Sequence, residues 1–416
     1  MKVVGIIAEY NPFHTGHAYQ IKEAKKKSGA DFVVVVMSGN YTQRGLPAIC
    51  PAQYRIDAAL QNGADLVLEL PLSYATGSAE RFAFGGVSLL NHTGIVQNLS
   101  FGIESETEDL SLLSKYADIL MNEPEVYRTS LKGYLSAGLS FPAAREKAIS
   151  RTLGTDATRL GPNEILGLEY IKALKKTHSQ ITPVPITRIG TGYHSESLPG
   201  ISEKNMFASA TAIRKALLKG SQSDAACFLP DGEAKQFSYE YRRTMPIEAD
   251  DFSLLLHRKL QESSEVSLGR IQDITPSLAD KIINHLEDYI SFSQFTKELT
   301  SKDTTESSVC RGLLHILLDL PMIPGSDSDY PQYPKVPYIR ILGFRSSAKT
   351  LLHELDQHAD LPIITKLSKA SESLSKEQLL QLQSELSAND LYRAVILNKY
   401  RTKMPNDYRT PITILK

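Results

Sequence analysis

The chain has 416 residues, 42% of them hydrophobic and 22% charged, the balance of an ordinary folded protein and too long for one typical core. Its 46 Lys and Arg stand against 47 Asp and Glu, a formal net charge of −1. That excludes a global basic field, so a nucleic-acid partner would need a local patch of cations.

The first half alternates. Apolar runs predict strands over 3–7, 32–37 and 66–70, with helices over 18–27 and 51–62 between them. Short apolar strands separated by helices indicate a parallel sheet with right-handed crossovers. Helical patterning follows over 78–92, then a strand over 98–101 that ends at Gly102, a helix-rich stretch over 108–153 and an amphipathic helix over 162–176. The segment 182–189 reads as a strand whose two prolines place it at an edge. A helix is predicted over 209–219. Beyond about residue 220 the alternation stops, and helices are predicted over 250–261, 276–288, 291–299 and 308–318. A loop rich in Pro, Ser, Asp and Tyr runs over 321–337, followed by a short strand over 338–343 and helices over 348–357 and 376–400. The expected organisation is an α/β, Rossmann-like domain over 1–220 followed by a mostly α-helical domain over 221–416.

Cys50, Cys227 and Cys310 lie far apart with no CxxC spacing, so no zinc set is expected, and reduced thiols in a cytoplasmic protein are the default. The first residues lack the charged and apolar regions of a signal peptide. The longest apolar run, 32–37, is far short of the ~20 residues that span a bilayer. No membrane partner and no DNA partner is expected.

The most informative string is Asn11-Pro12-Phe13-His14-Thr15-Gly16-His17, directly after the first strand. A strand-to-helix turn aims free backbone N–H groups at whatever sits above it. Imidazoles there can hold nucleotide phosphates and stabilise charge that develops at an α-phosphate, and Gly16 lets the backbone approach the ligand. A surface loop or a chance metal pair are the plainer readings of the same residues.

Four further clusters lie near strand ends. Ser38-Gly39-Asn40-Tyr41-Thr42-Gln43-Arg44-Gly45 is either a plain βα loop or a second wall of the site, with Arg44 facing phosphate or substrate. Ser100-Phe101-Gly102 could let an adenine ring lie on the backbone at Gly102. In Gly161-Pro162-Asn163-Glu164, Asn163 could cap a helix or read a base or ribose. In Ser209-Ala210-Thr211-Ala212-Ile213-Arg214, Ser209 is a credible N-cap, and Thr211 and Arg214 beside it make a β/γ-phosphate clamp.

An HxGH string early and a Ser/Thr–Arg helix start late in one α/β domain resemble the nucleotidylyltransferase superfamily. The resemblance extends further, to the bacterial tRNA(Met) cytidine acetate ligases. It is carried by Glu9 to His17, Met37-Ser38-Gly39-Asn40 with Gln43-Arg44-Gly45, Glu69-Leu70-Pro71, Leu99 to Gly102, Gly161 to Gly167, Arg188-Ile189-Gly190 with Gly192-Tyr193-His194, and Ala208 to Arg214. It implies a Rossmann-like nucleotidylyltransferase domain and an enzyme that activates acetate with ATP as acetyl-adenylate. The acetyl group would pass to N4 of the wobble cytidine of elongator tRNA(Met). On that model Ile7, Ala8, Glu9, Tyr10, Asn11, Pro12, Phe13, His14, Thr15, Gly16, His17, Ala18, Tyr19 and Gln20 cradle ATP, completed by Gly102, Asn163, Arg188, Ile189, Ser209 and Thr211. His14, His17 and Arg214 carry the chemistry; Ser38, Gly39, Asn40 and Arg44 face substrate. Magnesium is expected with the phosphates, with no dedicated protein ligands.

The second half should meet tRNA through Lys302 and Arg311, in a string thinned by Asp303 and Glu306. Arg340, Arg345, Lys349, Arg393, Lys399, Arg401, Lys403 and Arg409 supply further cations, or form a solvated face. Two competing readings stand. One is a compact nucleotidylyltransferase acting on a phosphometabolite, which leaves the long helical half unexplained. The other is a tRNA-binding protein with an ATP fold and no catalysis, which leaves the intact His and Arg set unexplained.

Overall fold

The computed structural model describes residues 1–105, 108–155, 160–188, 198, 207–230, 232–302, 304–322 and 335–416. Among these residues eight strands form the sheet: β1 (Val3–Ala8), β2 (Phe32–Ser38), β3 (Leu66–Leu70), β4 (Asn98–Ile103), β5 (Thr182–Thr187), β6 (Ile339–Arg345), β7 (Ile363–Ile364) and β8 (Thr413–Leu415). Their order is β5-β4-β1-β2-β3-β6-β7, with β8 beside β6. β1 to β5 run parallel, and the near-continuous apolar runs of β1 and β2 suit central strands covered on both faces. The proline-bearing β5 lies at one edge, where missing N–H donors cost no ladder.

Alternation along β2 sends Val33, Val35 and Met37 to one face and Val34 and Val36 to the other. The first set packs with Ile21 of helix Thr15–Ser28 and Ala59 and Leu60 of helix Ala52–Gln61. The second packs with Val87 and Leu90 of helix Ala79–His92 and with Tyr170 and Leu174 of helix Pro162–Lys176.

The sheet is completed from the far end of the chain. β6 pairs antiparallel with β3, Leu66 opposite Phe344, and β8 pairs parallel with β6. Gly343 permits this. A Cβ there would lie 2.8 Å from Ile56 Cγ2, 2.9 Å from Leu60 Cδ1 and 3.0 Å from Thr413 Cβ. The intervening helices bury their own core, including Phe252, Leu256, Leu278, Phe295 and Leu313, together with Tyr41 of the β2–β3 segment. The long helix Lys376–Tyr400 closes over both. The Tyr41 hydroxyl donates to the Ala388 carbonyl at 2.8 Å and the Tyr392 hydroxyl to the Ala48 carbonyl at 2.7 Å.

One boundary differs where it matters. The helix expected from Ala18 begins at Thr15, because His14 caps it and His17 sits in its first turn. The HxGH string is therefore helical N-terminus rather than loop.

Candidate active site

A cavity of about 250 Å³ opens at the C-terminal ends of β1 and β4, where open parallel sheets bind ligands. Ile7, Ala8, Glu9, Tyr10 and Asn11 line it from β1 and the turn after it; His14, Gly16, His17, Tyr19 and Gln20 line it from the first helix. Gly102, Asn163 and Arg188 close one side, Ser209, Thr211 and Arg214 another, and Arg44 a third. Residues spread over two hundred positions in sequence thus share one hollow.

The two histidines are built into the backbone that carries them. His14 Nδ1 accepts the Gly16 N–H at 3.0 Å, and His17 Nδ1 accepts the His14 N–H at 3.3 Å, a reciprocal cap of the helix start. A nitrogen that accepts carries no proton, so each neutral ring bears its proton on Nε2. The rings stack at 3.8 Å with 30° between their planes, and Tyr10 meets His17 edge-on at 4.8 Å. Burial, then the charges of Arg188 and Arg214, push the His14 pKa down to about 3. Burial, then His14 and Arg188, hold His17 well below its ordinary value. The pair meets a ligand as neutral N–H donors. Gly16 lines the cavity and serves a second neighbour as well: a Cβ there would lie 2.8 Å from His14 Cε1, so the glycine also makes room for the imidazole.

Arg214 joins the late helix to this turn. Its guanidinium donates to the Asn11 carbonyl at 2.8 Å and to Thr211 Oγ1 at 3.0 Å. Burial lowers its pKa from the ordinary arginine value, yet leaves it a cation at neutral pH. Ser209 is the N-cap of helix Ala210–Leu218, its hydroxyl accepting the Ala212 N–H at 3.0 Å. Gly102 leaves open space: a Cβ would meet only the Arg188 side chain, at 3.4 Å.

Asn163 is not a cap. Gly161 takes that position in helix Pro162–Lys176, and Glu164 Oε2 accepts its N–H at 2.8 Å. The other Glu164 oxygen accepts the N–H groups of Glu104 and Ser105 at 2.9 and 2.8 Å, clasping the end of β4 to the helix start. The Asn163 side-chain amide donates to Glu104, which also accepts the Asn163 N–H. Burial, then the hydrogen bond with Glu164, raises the Glu104 pKa to about 7. Burial works to raise Glu164 as well, but the hydrogen bonds from Glu104, Ser105 and Gly161 hold it below its ordinary value.

Several residues singled out in the sequence stand elsewhere. Pro12, Phe13, Thr15 and Ala18 are outside the lining; Phe13 is buried against Tyr10, and the Thr15 N–H donates to the Phe228 carbonyl at 2.9 Å. Ile189 lies outside the described residues, as do Gly190, Gly192, Tyr193 and His194. Of the four residues expected to face substrate, Arg44 lines the cavity and Ser38, Gly39 and Asn40 do not. Asn40 Oδ1 accepts the Ala52 N–H at the start of a helix, and its amide donates to Asn389, both at 2.8 Å. Glu9 Oε1 accepts the Gln43 N–H at 2.6 Å, which ties the β2 loop to β1.

Arg55 escaped the sequence reading. It is fully buried on helix Ala52–Gln61 and donates to the carbonyls of Glu9, Ser38, Gly39 and Cys50. One cation thereby fixes the ends of β1 and β2. The only hint was a charge set between apolar neighbours, Tyr54 and Ile56.

Comparison with known proteins accords with this geometry. The model of the HIGH Nucleotidyl Transferase family matches residues 1–407. A tRNA(Met) cytidine acetate ligase of Thermoanaerobacter sp. (strain X514) is 38% identical over 403 residues, 96% of either chain. One from Acetivibrio thermocellus is 36% identical over the full length of both. The crystal structure of Thermotoga maritima TmcAL bound with alpha-thio ATP superposes over all of both chains with a TM-score of 0.88 at 29% identity, and its apo form with 0.90.

Proposed function

The chain belongs to the HIGH nucleotidyl transferase family and, within it, to the tRNA(Met) cytidine acetate ligases; from that premise we propose that it activates acetate with ATP and acetylates N4 of the wobble cytidine of elongator tRNA(Met). The observation that carries this is the pair of neutral, backbone-locked imidazoles beside Arg214 at a helix N-terminus.

In the first step an acetate oxygen attacks the α-phosphorus of ATP, and pyrophosphate leaves. Acetate arrives ionised, so this step needs no general base. It needs donors aimed at the charge that gathers on the phosphates. The Nε2–H groups of His14 and His17 and the guanidiniums of Arg188 and Arg214 supply them. Locked rings and a tethered Arg214 require little rearrangement as that charge grows. In the second step the cytidine N4 attacks the acetyl carbon of the mixed anhydride, and AMP leaves.

Magnesium fits as a companion of the nucleotide. Among the described residues no group of three or more His, Cys, Asp or Glu is placed to hold a metal, and Glu9 is the one carboxylate in the described lining. The ion would ride on the triphosphate and neutralise part of its charge.

Several of the cations expected to meet tRNA have partners within the chain. Arg311 is paired with Asp273 at 3.3 Å, and Lys302 reaches the Gly138 carbonyl at 3.4 Å. Arg340 is buried between Glu69 and Asp407, Arg393 lies between Asp390 and Asp407, and Arg345 caps carbonyls at the end of helix Ala52–Gln61. Arg401, Lys403 and Arg409 are exposed, and this tail is the surface we assign to the phosphate backbone of tRNA. Among the described residues no helix is long and apolar enough to cross a membrane.

The test is incubation of the full chain with ATP, magnesium, labelled acetate and elongator tRNA(Met), followed by mass mapping of the acetyl group. N4-acetylcytidine that requires acetate and ATP supports the reading. Pyrophosphate released by a phosphometabolite, with no response to acetate, overturns it.

A further inference from the structure

A second cavity, of about 410 Å³, adjoins the nucleotide cleft and shares with it Glu9, Asn11, Arg44, Thr211 and Arg214. It opens on the opposite side of β1 from Gly102, Asn163 and Arg188, toward the loop after β2 and the helices of the second half. Its floor includes buried Ile49, Ile247 and Phe292; its rim holds exposed Leu218, at the end of helix Ala210–Leu218, and exposed Lys297, in the last turn of helix Phe292–Leu299.

We propose that this second cavity seats the acceptor nucleobase, splayed out of its RNA loop, for the transfer step. The proposal rests on the reading above, that a cytidine amine takes the acetyl group. A mixed anhydride made in the first cavity places AMP on one side of the acetyl carbon. The amine must therefore approach from another side, and the shared wall at Glu9, Arg44 and Arg214 is where the second cavity meets the first. A base inside a stacked loop cannot reach so far in, whereas an extruded one can, held between apolar walls. The apolar floor suits a base inside, and Lys297, on a rim that also carries Glu248, Asp250 and Glu306, can meet a phosphate outside.

The chemistry balances at the shared wall. The N4–C bond forms, the C–O bond to AMP breaks, and its electron pair leaves on the AMP phosphate. The amine proton passes to the carboxylate of Glu9, which among the described residues is the one acid that lines both cavities.

The experiment narrows the second cavity from two walls, with Leu218→Trp and Lys297→Trp as separate variants and Leu380→Trp, at an exposed residue outside both cavities, as control. Three rates are read on the full-length protein: acetate-dependent exchange of pyrophosphate into ATP, trapping of the acetyl group by hydroxylamine, and acetylation of elongator tRNA(Met). Each of the two cavity variants should keep the first two rates and lose about a hundredfold in the third, the scale of a misplaced reactant, while Leu380→Trp keeps all three. Wild-type tRNA acetylation in both cavity variants would overturn the proposal. If wild-type protein shows no acetate-dependent exchange, the underlying reading falls instead. For Glu9→Gln, transfer should fall further than exchange; an equal fall in both would remove Glu9 from the proton's path.

Discussion

His14 and His17 hold each other in place through the backbone: each ring nitrogen Nδ1 accepts an N–H of the turn that carries the partner, and the rings stack at 3.8 Å. The same bonds that cap the helix fix both tautomers, so stability of the turn and readiness of the site have one cause.

That coupling can be separated by substitution. Asn at position 14 can still cap the helix with its side-chain oxygen, but offers no ring N–H to phosphate. His14→Asn should be more stable than His14→Ala by about 1 kcal/mol, and both should lose activation. His17→Ala should cut acetate-dependent pyrophosphate exchange by about 10²–10³-fold, the scale of losing one fixed donor. Unchanged exchange in His17→Ala would remove the histidines from the reaction.

The depressed histidine pKa values make the free protein acid-sensitive. Above an ordinary histidine pKa of 6.5 both states are neutral at these rings, and their contribution is complete. As pH falls below that value the unfolded chain binds protons that the folded one excludes, so stability drops, down to about pH 3 where His14 itself protonates. Urea midpoints taken from pH 7 to pH 4 should fall, and less steeply in His14→Asn. A slope identical in the two proteins would contradict the buried neutral state.

Arg55 gathers three carbonyls from the ends of two strands and a fourth, of Cys50, from just before its own helix. Arg55→Met keeps most of the volume and leaves those buried acceptors unpaired. It should cost about 3 kcal/mol or more, read as a lower urea midpoint, and should weaken ATP binding because Glu9 and Gly39 lose their tether. Full stability in this variant would show that water replaces the guanidinium.

For the tail cations, Lys403→Glu with Arg409→Glu should weaken tRNA binding and lower its salt slope by about 2 if each meets one phosphate. Acetate-dependent exchange should be unchanged, since neither residue lines the nucleotide cleft. An unaltered salt slope would move the RNA surface elsewhere.

The catalytic half was legible because its signals are local. Strand-length segments between helical patterns marked β1 to β5 and their parallel direction, and helix limits such as Pro162–Lys176 and Lys376–Tyr400 follow from Pro and Ser at their starts. The HxGH helix was read three residues late because histidine is an uncommon cap. Ser38, Gly39 and Asn40 stood out as a polar, glycine-bounded loop, a pattern that cannot tell a ligand from a buried neighbour such as Asn389 or Arg55. The cations of the second half raised the same ambiguity. Lys403 and Arg311 look alike in sequence, and only the position of Asp273 distinguishes them.

By itself the sequence determined the strand–helix alternation and the position of the HxGH turn after the first strand, because backbone propensity and motif spacing act over a few neighbouring residues. Tertiary structure alone decided that β6 and β8 return to complete the first sheet, that Arg55 and Glu104 hold the cleft's walls, and that the β2 loop turns inward to Asn389. These depend on contacts between residues up to several hundred positions apart, whose partners are selected by packing, burial and the demand that every buried polar group be paired.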